Sequence, residues 1–560
     1  MSGADLNDES MREMAMLRQS VEGAVLPETL GDFVRQAAVR HGDTVVGVWF
    51  DEGETLSYRQ LDESADRLAF SLVQRGVRKG THVAVMLGNR AAYLITWVAL
   101  ARIGAVIVPV NTAYKINDLS FILDDSDAQF FVVAAEFLAV YEQIEDGQGY
   151  VAPERVFVHG PGGADYAQWA DLLREGRVPF EPPSAVYRTD LLNIQYTSGT
   201  TGFPKGCLLS HDYWLLLVQF AAAPLELAGQ IRKVLVWQPF FYMDGMWLFL
   251  TAMRLGGCAY VASKMRLGSF HDWLRQFDIE YCIFPESALK AREQTPQERQ
   301  LALRYVSIYG WSEASRRQFR ERYGAIAREG YGMSEIGLAM VVPNKAQDRA
   351  LEKTCGLAGP HRQMRIVDEH GRDVADGTAG ELWVAGRSIL WAYYKRPREN
   401  AASFRQGWFR TGDLFYRNAD GYYFLVGRLK DMIKRSGENI AAREVEATLC
   451  ELDQIAEAAV VGVPDPERRE EVKAYILLRE GFSPAQCPPQ AIIEHCARKL
   501  ALFKVPRYIA YVQEFPRTPS RKIRKQEILG MEAGCPLATY DGKSQSWTPG
   551  SAQQGHEASS

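Results

Sequence analysis

The chain has 560 residues, of which 47% are hydrophobic and 24% are charged, and its formal net charge at pH 7 is −5. This length exceeds that of one ordinary hydrophobic core, so two or more folded units are expected. The composition is typical of a soluble globular protein, and the negative charge gives no electrostatic reason to expect a nucleic-acid partner.

The usual sequence signs of export and membrane insertion are not found. The N-terminal segment MSGADLNDESMREMAMLRQS has no basic region followed by an apolar one, so no signal peptide is predicted. No stretch approaches the roughly 20 apolar residues that cross a bilayer. The eight cysteines are scattered without a C-x-x-C pair, which argues against a zinc site and fits a reducing compartment. These features predict a cytoplasmic protein without a membrane span.

The first half of the chain alternates between helical and strand-like patterns. Residues 1–27 are polar and predict a leader that is frayed or becomes ordered only on contact with the rest of the chain. From Leu30 to Ala37 apolar residues recur at helical spacing, and residues 45–50 then predict a short strand. Strand-like runs and amphipathic helices alternate up to about residue 310. This alternation predicts α/β layers with largely parallel sheets.

The pattern changes after about residue 355, where glycines punctuate short strands. Runs such as GELWVAG and GYYFLVGR predict a small antiparallel region with tight turns. The charged, glycine-rich stretch 427–437 is a candidate linker, and a compact αβ unit follows it. Residues 541–560 are rich in glycine, serine and glutamine and predict disorder. The expected fold class is α/β, with a large N-terminal domain of layered β-sheets and flanking helices. The antiparallel region belongs to that domain, and a small α+β domain follows.

The strongest local signal for function is TSGTTGFPKG, residues 197–206, directly after the strand-like run LLNIQY. Its glycines let backbone N–H groups approach a ligand, its serine and threonines add hydroxyl donors, and Lys205 adds a positive charge. This combination predicts a phosphate-binding loop, although an ordinary polar loop has a similar composition. A Walker loop is excluded, because Pro204 stands where that motif needs glycine and Gly206 stands where it needs Ser or Thr.

Five further motifs follow this loop in the sequence. They are YGMSE at 331–335, GELWVAG at 380–386, GWFRTGD at 407–413, GRLKDMIKRSGENI at 427–440 and PRTPSRKIRK at 516–525. In this order and spacing, the chain resembles the adenylate-forming superfamily of acyl-CoA synthetases, peptide-synthetase adenylation domains and luciferases, from about residue 28 to 530. Its C-terminal part is most similar to carnitine and crotonobetaine CoA ligases.

The resemblance implies an ATP-dependent ligase of the acyl-CoA synthetase branch. Such an enzyme converts a carboxylate and ATP to acyl-AMP and pyrophosphate, then forms a thioester with coenzyme A and releases AMP. The implied cofactors are ATP, Mg²⁺ and coenzyme A, and the implied partner is a small-molecule carboxylate. The sequence leaves the acid unidentified and the oligomeric state open between monomer and homodimer.

The resemblance also assigns the nucleotide site. Tyr331 has a flat ring suited to stack on adenine, and Glu335 has a hard carboxylate suited to Mg²⁺. Asp413 is implied to accept hydrogen bonds from the ribose hydroxyls, with Arg428 as a second ribose and phosphate contact. The full set of implied nucleotide-binding residues is Thr197, Ser198, Gly199, Thr200, Thr201, Gly202, Lys205, Tyr331, Gly332, Met333, Ser334, Asp413, Arg428 and Lys522.

Lys522 is the implied catalyst, with Glu335 and Thr197 completing the catalytic set. Attack of a carboxylate on the α-phosphate builds negative charge, which a positioned ammonium counters, and losing such a contact typically costs a few kcal/mol of barrier. The run RTPSRKIRKQ would ordinarily be a solvated face, so only the family match selects Lys522 over Lys525. The family usually has glycine before this lysine, whereas this chain has Arg521.

A rotating small domain is the next implication of the resemblance. The hinge corresponds to Lys430, and one orientation serves adenylation while the other serves thioester formation. The implied division is a leader at 1–27, a large domain at 28–427, a hinge at 428–432, a small mobile domain at 433–530 and a disordered tail at 531–560. Ser436 and Gly437 resemble residues of a pantetheine tunnel, and Phe503 and Arg507 resemble contacts of the coenzyme A nucleotide.

The acyl pocket is implied to lie between segments 238–247 and 308–315, near Gly337. Tyr242 stands where a gate separates the ATP and acyl sites. Gly310 is followed by Trp311, a departure from the usual Gly-Ala-Pro-like run, and this ring is predicted to narrow or cap the pocket or to stack on a ring or a cation. With Asp244 and Glu313, the two aromatic residues form a candidate cage for a quaternary ammonium. The alternative is a pocket wall for an aromatic, branched, steroid-like or medium-chain acid.

Two other functions remain compatible with the motifs. One is an adenylating enzyme that loads a carrier-protein phosphopantetheine, against which the absence of an appended carrier domain argues. The other is a non-catalytic relative that only binds acyl-adenylate, against which the intact residues Glu335, Asp413 and Lys522 argue. A luciferase-like oxygenase has no distinguishing feature in this sequence.

Overall fold

The fold is described from a computed structural model of the chain. It describes residues 3–145, 147, 149–197, 204–291, 295–346, 352–435, 438–518, 522–534 and 537–548. Within these residues, no helix combines the length and the apolar character that crossing a bilayer requires.

The elements up to the phosphate loop alternate as the sequence predicted. In chain order they are α1 Gly3–Glu22, α2 Leu30–His41, β1 Val45–Trp49, β2 Glu54–Ser57, α3 Tyr58–Gln74, β3 His82–Met86, α4 Ala91–Ile103, β4 Val106–Pro109, α5 Ile116–Asp125, β5 Phe130–Ala134, α6 Ala135–Tyr141, β6 Val156–His159, β7 Ala167–Gln168, α7 Trp169–Glu175 and β8 Leu191–Thr197.

The rest of the large domain begins with the second strand of the loop hairpin. Its elements are β9 Lys205–Ser210, α8 His211–Ala228, β10 Lys233–Val236, α9 Met243–Arg254, β11 Cys258–Val261, α10 Phe270–Gln276, β12 Tyr281–Ile283, α11 Glu286–Lys290, β13 Tyr305–Ile308, α12 Glu313–Tyr323, β14 Ile326–Met333, β15 Gly337–Val341, β16 Thr354–Ala358, β17 Arg362–Val367, β18 Gly380–Gly386, α13 Pro397–Ser403, β19 Phe404–Arg405, β20 Trp408–Arg417 and β21 Tyr423–Arg428.

The small C-terminal domain follows a short 3₁₀ turn at Leu429–Asp431. Its elements are β22 Met432–Arg435, β23 Glu438–Ala441, α14 Ala442–Leu449, β24 Ile455–Asp465, β25 Arg469–Leu478, α15 Pro489–Lys499, β26 Tyr508–Val512, α16 Lys525–Gly534, β27 Thr539–Asp541 and β28 Ser546–Thr548.

The first large-domain sheet has the strand order β7-β6-β5-β3-β4-β8-β9. Its pairs are parallel except β8 with β9, which form an antiparallel hairpin at one edge. Every residue of β4 and β5 is buried, as expected for strands that are covered on both faces. The hairpin places the predicted phosphate loop at the end of this sheet.

The second sheet joins the predicted parallel and antiparallel regions into one path, β17-β18-β20-β21-β16-β15-β14-β13-β12-β10-β11-β1-β2. The join is β14: residues 326–329 pair in parallel with β13, and residues 330–333 pair antiparallel with β15. The antiparallel region is therefore a continuation of the sheet. This arrangement carries the YGMSE motif into the middle of the large domain.

The small domain has a mixed sheet, β23-β22-β25-β26-β27-β28, with β24 paired to β25. Its core includes Ile433, Val445, Val460, Ile476 and Ile509, all of which are buried. The large α/β domain and the small α+β domain confirm the fold class that the sequence predicts.

Segments at both ends of the described chain form regular elements, in contrast to a frayed leader and to a tail that is disordered throughout. Met14, Leu17 and Val21 of α1 are buried against the large domain, so this leader is ordered by contact. At the other end, β27 pairs with β26 and β28 pairs with β27, within the range 531–560 that was expected to be disordered. The reason is that β26 is otherwise an edge strand whose backbone groups accept a further strand, which composition does not reveal.

Candidate functional site

A cleft of about 3440 Å³ lies between the large and the small domain. The large domain contributes the end of β8, the start of β9, the start of α9 and the hairpin of β14 and β15. The small domain contributes the start of α14 and the segment around Lys522. Most of the site residues that the sequence singled out line this cleft.

The phosphate loop is closed by an antiparallel pair at its two ends. Thr197 ends β8 and lies opposite Lys205, the first residue of β9. The Thr197 hydroxyl donates a hydrogen bond to the Lys205 carbonyl oxygen at 3.4 Å. The loop thus connects two strands, not a strand to a helix. Five of its predicted residues lie outside the described part of the chain: Ser198, Gly199, Thr200, Thr201 and Gly202.

Glu335 is a buried carboxylate at the floor of the cleft, with 7% of its surface exposed. The Tyr393 hydroxyl donates a hydrogen bond to Glu335 Oε1 at 2.8 Å. Burial raises the pKa of Glu335. This hydrogen bond and the positive charges of Lys205 and Arg428 lower it, but by less. A desolvated carboxylate of this kind is stabilised by a bound cation.

Tyr393 was not predicted from the sequence. Its ring lies under the Lys205 ammonium, 4.2 Å from the ring centroid, while its hydroxyl holds Glu335. It therefore links the lysine of the phosphate loop to the candidate metal ligand. In the sequence it stands in the run WAYYKRP, which matches no motif. Backbone pairing of residues 391–394 with β9 brings it to the site.

Asp413 and Arg428 form the candidate ribose site, and their pairing follows from strand register. The two residues lie opposite each other on β20 and β21, and their side chains are 3.1 Å apart. The Tyr331 hydroxyl donates to Asp413 Oδ2 at 2.7 Å. The ring of Tyr331 is buried and packs edge-on against Phe415 with centroids 4.8 Å apart. Besides offering its ring to the cleft, Tyr331 therefore fixes the carboxylate.

The turn between β14 and β15 presents the rest of the YGMSE motif. A Cβ atom at Gly332 would lie 2.5 Å from the Gly337 carbonyl oxygen, so this close approach requires glycine. Gly337 has a φ of +63°, which also favours glycine. The Ser334 carbonyl oxygen accepts a hydrogen bond from the Tyr213 hydroxyl at 2.9 Å. Together with Met333, these residues line the cleft.

Lys522 reaches the cleft from the small domain. Desolvation, followed by the charge of Arg428, lowers the pKa of Lys522, whereas the charges of three cleft carboxylates oppose this shift. These carboxylates belong to Asp244, Glu335 and Asp413. Thr518 and Lys522 are joined by two hydrogen bonds, from Thr518 N–H to the Lys522 carbonyl oxygen at 2.8 Å and from Lys522 N–H to Thr518 Oγ1 at 3.0 Å. Arg521 lies outside the described residues.

The neighbouring Lys525 is engaged within its own domain. Its ammonium lies 2.6 Å from Glu446 Oε1 and 4.0 Å from Asp431 Oδ2. Among the described residues, Lys522 forms no such ion pair. The ion pairs therefore distinguish Lys525 from Lys522. In the sequence, only the family resemblance distinguished these two lysines.

Lys430, the predicted hinge residue, lies in the 3₁₀ turn between β21 and β22. It is exposed to the cleft, although the surrounding protein desolvates it. Desolvation and the charges of Arg428 and Lys205 lower the pKa of Lys430 to about 8. The charges of Asp431 and Asp413 oppose this shift. A charged residue thus stands at the single described connection between the two domains.

Of the four predicted coenzyme A residues, the two that the structure describes, Phe503 and Arg507, do not line the cleft. Ser436 and Gly437 lie outside the described residues. Phe503 is half-buried, and its carbonyl oxygen accepts from Arg435 Nη1 at 3.2 Å. Arg507 pairs with both oxygens of Asp541 at 3.0 Å and with Asp465 at 3.1 Å. The hydrogen bonds and the charge of Asp541 raise the pKa of Arg507, and both carboxylates occupy its donors.

The candidate acyl pocket is partly assembled at the start of α9. Tyr242 precedes this helix, and its hydroxyl accepts from Asn111 Nδ2 at 3.0 Å. Asp244 lies in the first turn and accepts from Trp247 Nε1 at 3.1 Å. On the opposite side, Gly310 has a φ of +71°, and its N–H donates to a buried Glu329 carboxylate at 2.8 Å.

Trp311 is among the residues that line the cleft, but most of its ring is buried. Only 2% of it is exposed, and its ring packs edge-on against Phe284 and Phe319 with centroids 5.8 and 5.6 Å apart. Burial of this large apolar ring in the core beside α12 outweighs exposure to the cleft. The predicted cage of Tyr242, Trp311, Asp244 and Glu313 would therefore have little exposed surface from Trp311. Tyr309, which was not singled out from the sequence, is 43% exposed and also lines the cleft.

Comparisons with known proteins identify relatives of both domains. Residues 33–394 match the family described as AMP-binding enzyme, and residues 444–522 match its C-terminal domain family. Crotonobetaine/carnitine–CoA ligase of Salmonella agona is 29% identical over 483 residues, which cover 84% of this chain and 92% of that protein.

Solved structures share the fold. An anthranilate–CoA ligase in complex with anthranoyl-AMP has a TM-score of 0.80 at 23% identity, covering 92% of this chain and 99% of that one. The o-succinylbenzoate–CoA synthetase of Bacillus subtilis, in complex with its acyl-adenylate, has a TM-score of 0.76 at 22% identity. This second likeness covers 90% of this chain and 98% of the other.

Proposed function

The chain belongs to the AMP-binding enzyme family, and on this premise we propose that it is an ATP-dependent carboxylic acid–CoA ligase. It converts a carboxylate and ATP to acyl-AMP and pyrophosphate, and then transfers the acyl group to coenzyme A with release of AMP. The observation that carries the proposal is Lys522, a small-domain residue that lines the same cleft as Glu335 and Asp413. The names of the Salmonella relative and of the structural neighbours agree with it.

The nucleotide occupies the large-domain side of the cleft. Asp413 faces the ribose, because a carboxylate held by Tyr331 and Arg428 is fixed to accept hydrogen bonds from both hydroxyls. Lys205 and Thr197 flank the loop at its two ends and donate to phosphate oxygens. The ring of Tyr331 borders the adenine.

Glu335 fits a magnesium ion that the nucleotide phosphates also hold. Among the described residues, no cluster of three or more acidic, histidine or cysteine side chains could hold a metal by itself. Mg²⁺ is commonly bound by one or two carboxylates together with substrate phosphates, so a single buried carboxylate is sufficient. A magnesium ion held by Glu335 would supply charge neutralisation at the nucleotide phosphates.

Lys522 promotes the first half-reaction. A carboxylate oxygen of the acid attacks the α-phosphorus of ATP, and the bond to the oxygen that bridges the β-phosphate breaks, so that pyrophosphate leaves. The ammonium of Lys522 counters the negative charge on the α-phosphate and the repulsion between the two anions. The nearby carboxylates of Asp244, Glu335 and Asp413 favour this charged form.

Rotation of the small domain about Lys430 allows the second half-reaction. It carries Lys522 out of the cleft and opens an approach for coenzyme A. The thiol sulfur attacks the acyl carbonyl carbon, the bond between that carbon and the AMP oxygen breaks, and the thiol proton passes to solvent. The short turn at Leu429–Asp431, which joins the domains, supports this motion.

The proposal is tested by pyrophosphate release over a panel of carboxylates, with and without coenzyme A. Lys522→Ala should lower the release about 10²–10³-fold, whereas preformed acyl-AMP should still be converted to the thioester. Lys525→Ala is the matched control, because Lys525 already pairs with Glu446, and its loss should be much smaller. An equal loss of both half-reactions in Lys522→Ala contradicts the assignment. Transfer to a carrier protein but not to coenzyme A contradicts the proposed acceptor.

A further inference from the structure

Helix α1 lies outside the part of the chain that matches the AMP-binding enzyme family, since that match begins at residue 33. It is nevertheless packed into the large domain, where Met14, Leu17 and Val21 are buried. The same cluster contains Phe220, a buried residue of helix α8. The chain therefore carries a helix against α8 that the family motifs do not account for.

Helix α8 also forms one wall of the candidate acyl pocket. Leu217 and Ala221 line the cleft, as does Trp247 of α9. Ala221 and Pro224 border a second cavity of about 20 Å³, to which Trp247 and Tyr309 of the cleft also belong. Residues three and four positions apart lie on one face of a helix, so one face of α8 borders both cavities.

Glu13 joins α1 to the turn at residues 343–345 of the large domain. Only 8% of Glu13 is exposed, and its two carboxylate oxygens accept hydrogen bonds from the N–H groups of Asn344 and Lys345 at 2.8 and 2.7 Å. The Asn344 side chain in turn donates through Nδ2 to the Pro224 carbonyl oxygen at 2.8 Å. Glu13 is thus connected through one residue to the wall of the acyl pocket.

The part of α8 that Asn344 holds lacks a helical hydrogen bond. Pro224 lies inside the helix and has no N–H, so it cannot donate to the Phe220 carbonyl oxygen, and its ring tends to kink the helix. The bond from Asn344 fixes this position from outside. On the other side, Arg328 of β14 donates through Nε to the Pro343 carbonyl oxygen at 2.9 Å. The turn therefore connects α1, α8 and β14.

Stability alone does not explain the contact that Glu13 makes. Burial of the apolar side chains of α1 is sufficient to attach the helix to the large domain. Burial of a carboxylate is costly unless hydrogen bonds satisfy its oxygens, so both bonds of Glu13 require the turn to stay in one position. The carboxylate therefore adds a fixed geometry to a contact that burial already stabilises.

We propose that α1 sets the size of the acyl pocket, with Glu13 and Asn344 as positioning residues that hold α8 at Pro224. The inference rests on the proposed function, to which the acyl pocket belongs. A fixed α8 keeps Ala221 at a constant distance from the opposite wall, so acids larger than this space are excluded. Without the contact, α8 moves more freely around the proline and the pocket admits larger acids.

The test compares acids of increasing size by pyrophosphate release from the full chain. One series is unbranched, from butanoate to dodecanoate, and the other is benzoate with 4-methyl, 4-ethyl and 4-tert-butyl groups. The measured quantity is the size profile, which is kcat/KM of each acid relative to the best acid of its series.

Glu13→Gln keeps the size of the side chain and replaces one acceptor oxygen by an amide that cannot accept. The acids that follow the best one in size should gain about three- to tenfold in relative kcat/KM, as expected for loss of a hydrogen bond to a charged group. KM for ATP should stay within about twofold of wild type, because Asp413 and Arg428 hold the ribose from other elements.

Asn344→Ala breaks the contact with Pro224 without changing α1, so it tests the inference even if Glu13→Gln does not fold. Both substitutions act on one path, and the double variant should therefore show no more than the larger single effect. Met16→Ala is the matched control on α1. Met16 is 60% exposed, and its loss should leave the size profile unchanged.

Hydrogen exchange gives a readout that does not depend on the acid. Amides of α8 that follow Pro224 should exchange about three- to tenfold faster in Glu13→Gln than in wild type, because the contact that fixes this part of the helix is lost. Amides of α9 should exchange at the wild-type rate. If α1 served only stability, exchange would rise in both helices together.

Several results overturn the inference. They are a size profile that neither Glu13→Gln nor Asn344→Ala changes, an equal loss for all acids, effects of the two substitutions that simply add, or a profile that Met16→Ala changes as much. Equal exchange in α8 of variant and wild type also overturns it. Failure of the proposed function is distinguishable, since wild type would then release no pyrophosphate with any carboxylate.

Discussion

Tyr393 shows how one side chain organises the charged groups of the site. Its hydroxyl donates to Glu335, and its ring supports Lys205 from below. The lysine and the carboxylate lie far apart in sequence, yet both face the region assigned to the ATP phosphates. A similar arrangement holds the ribose side, where Tyr331 and Arg428 fix Asp413. At both positions a tyrosine hydroxyl fixes the acid.

Tyr393→Phe isolates the effect of this hydroxyl, because the ring under Lys205 is kept. The hydrogen bond lowers the pKa of Glu335 against the effect of burial, so its removal raises that pKa further. The carboxylate then stays protonated up to a higher pH, and the acid limb of the pH profile for pyrophosphate release should move to higher pH. On that limb, the rate should fall about tenfold, as expected for a hydrogen bond to a charged group.

The measurement is kcat/KM for ATP against pH at saturating magnesium. At a pH well above both pKa values, the variant and the wild type should approach each other. An acid limb that stays in place, or moves to lower pH, contradicts the role of the Tyr393 hydroxyl.

At the scale of elements, register and continuity position the site. β14 pairs with a parallel strand in its first half and with an antiparallel strand in its second half, and so delivers YGMSE to the cleft. The register of β20 with β21 places Asp413 opposite Arg428. The next connection, Leu429–Asp431, is a single short turn between the domains. Rotation of one domain against the other requires backbone changes at few positions there.

Lys430→Pro tests this turn as the hinge. Proline fixes φ near −65° and removes a backbone donor, so it restricts rotation about Lys430. Adenylation, measured as pyrophosphate release in a single turnover, should stay within a few-fold of wild type. Conversion of preformed acyl-AMP to the thioester should fall about tenfold or more, as expected when a domain motion is blocked. Lys430→Ala is the control, since it removes the charge and leaves the backbone free. Unchanged overall turnover of the proline variant contradicts the hinge.

At the scale of the whole molecule, the small domain contacts the acyl side of the large domain through Arg443. A Cβ atom at Gly310 would lie 3.3 Å from Nη2 of this arginine. Burial raises the pKa of Glu329 to about 7, and the charge of Arg443 is one of those that partly oppose this rise. The Glu329 carboxylate accepts a hydrogen bond from the Gly310 N–H. Arg443 of the small domain therefore lies beside the segment around Gly310 in the candidate acyl pocket.

Arg443→Ala should therefore weaken the adenylation orientation selectively. Pyrophosphate release should fall by about three- to tenfold, as expected for the loss of one charge contact at an interface, while thioester formation from acyl-AMP should remain near wild type. Arg498→Ala is the control, because Arg498 is an exposed residue of α15 that does not line the cleft. A parallel loss in both half-reactions would show that Arg443 serves stability instead of orientation.

The amino-acid sequence by itself determined the fold class, the alternation of strands and helices along the chain, and the motifs of an adenylate-forming enzyme. Periodicity and glycine spacing are local properties, and the order of motifs such as TSGTTGFPKG and YGMSE is written along the chain. The motifs also singled out Asp413 and Arg428, while the register of β20 with β21 places them opposite each other.

Only the tertiary structure decided which side chains meet. Burial of Trp311, exposure of Tyr309, the contact of Tyr393 with Glu335 and the pairing of Arg507 with Asp541 all join residues from different elements. The separation of Lys522 from Lys525 likewise depends on Glu446, which captures one lysine and leaves the other facing the cleft. Such contacts depend on packing between distant segments, where burial and charge compete, and no local pattern encodes the outcome.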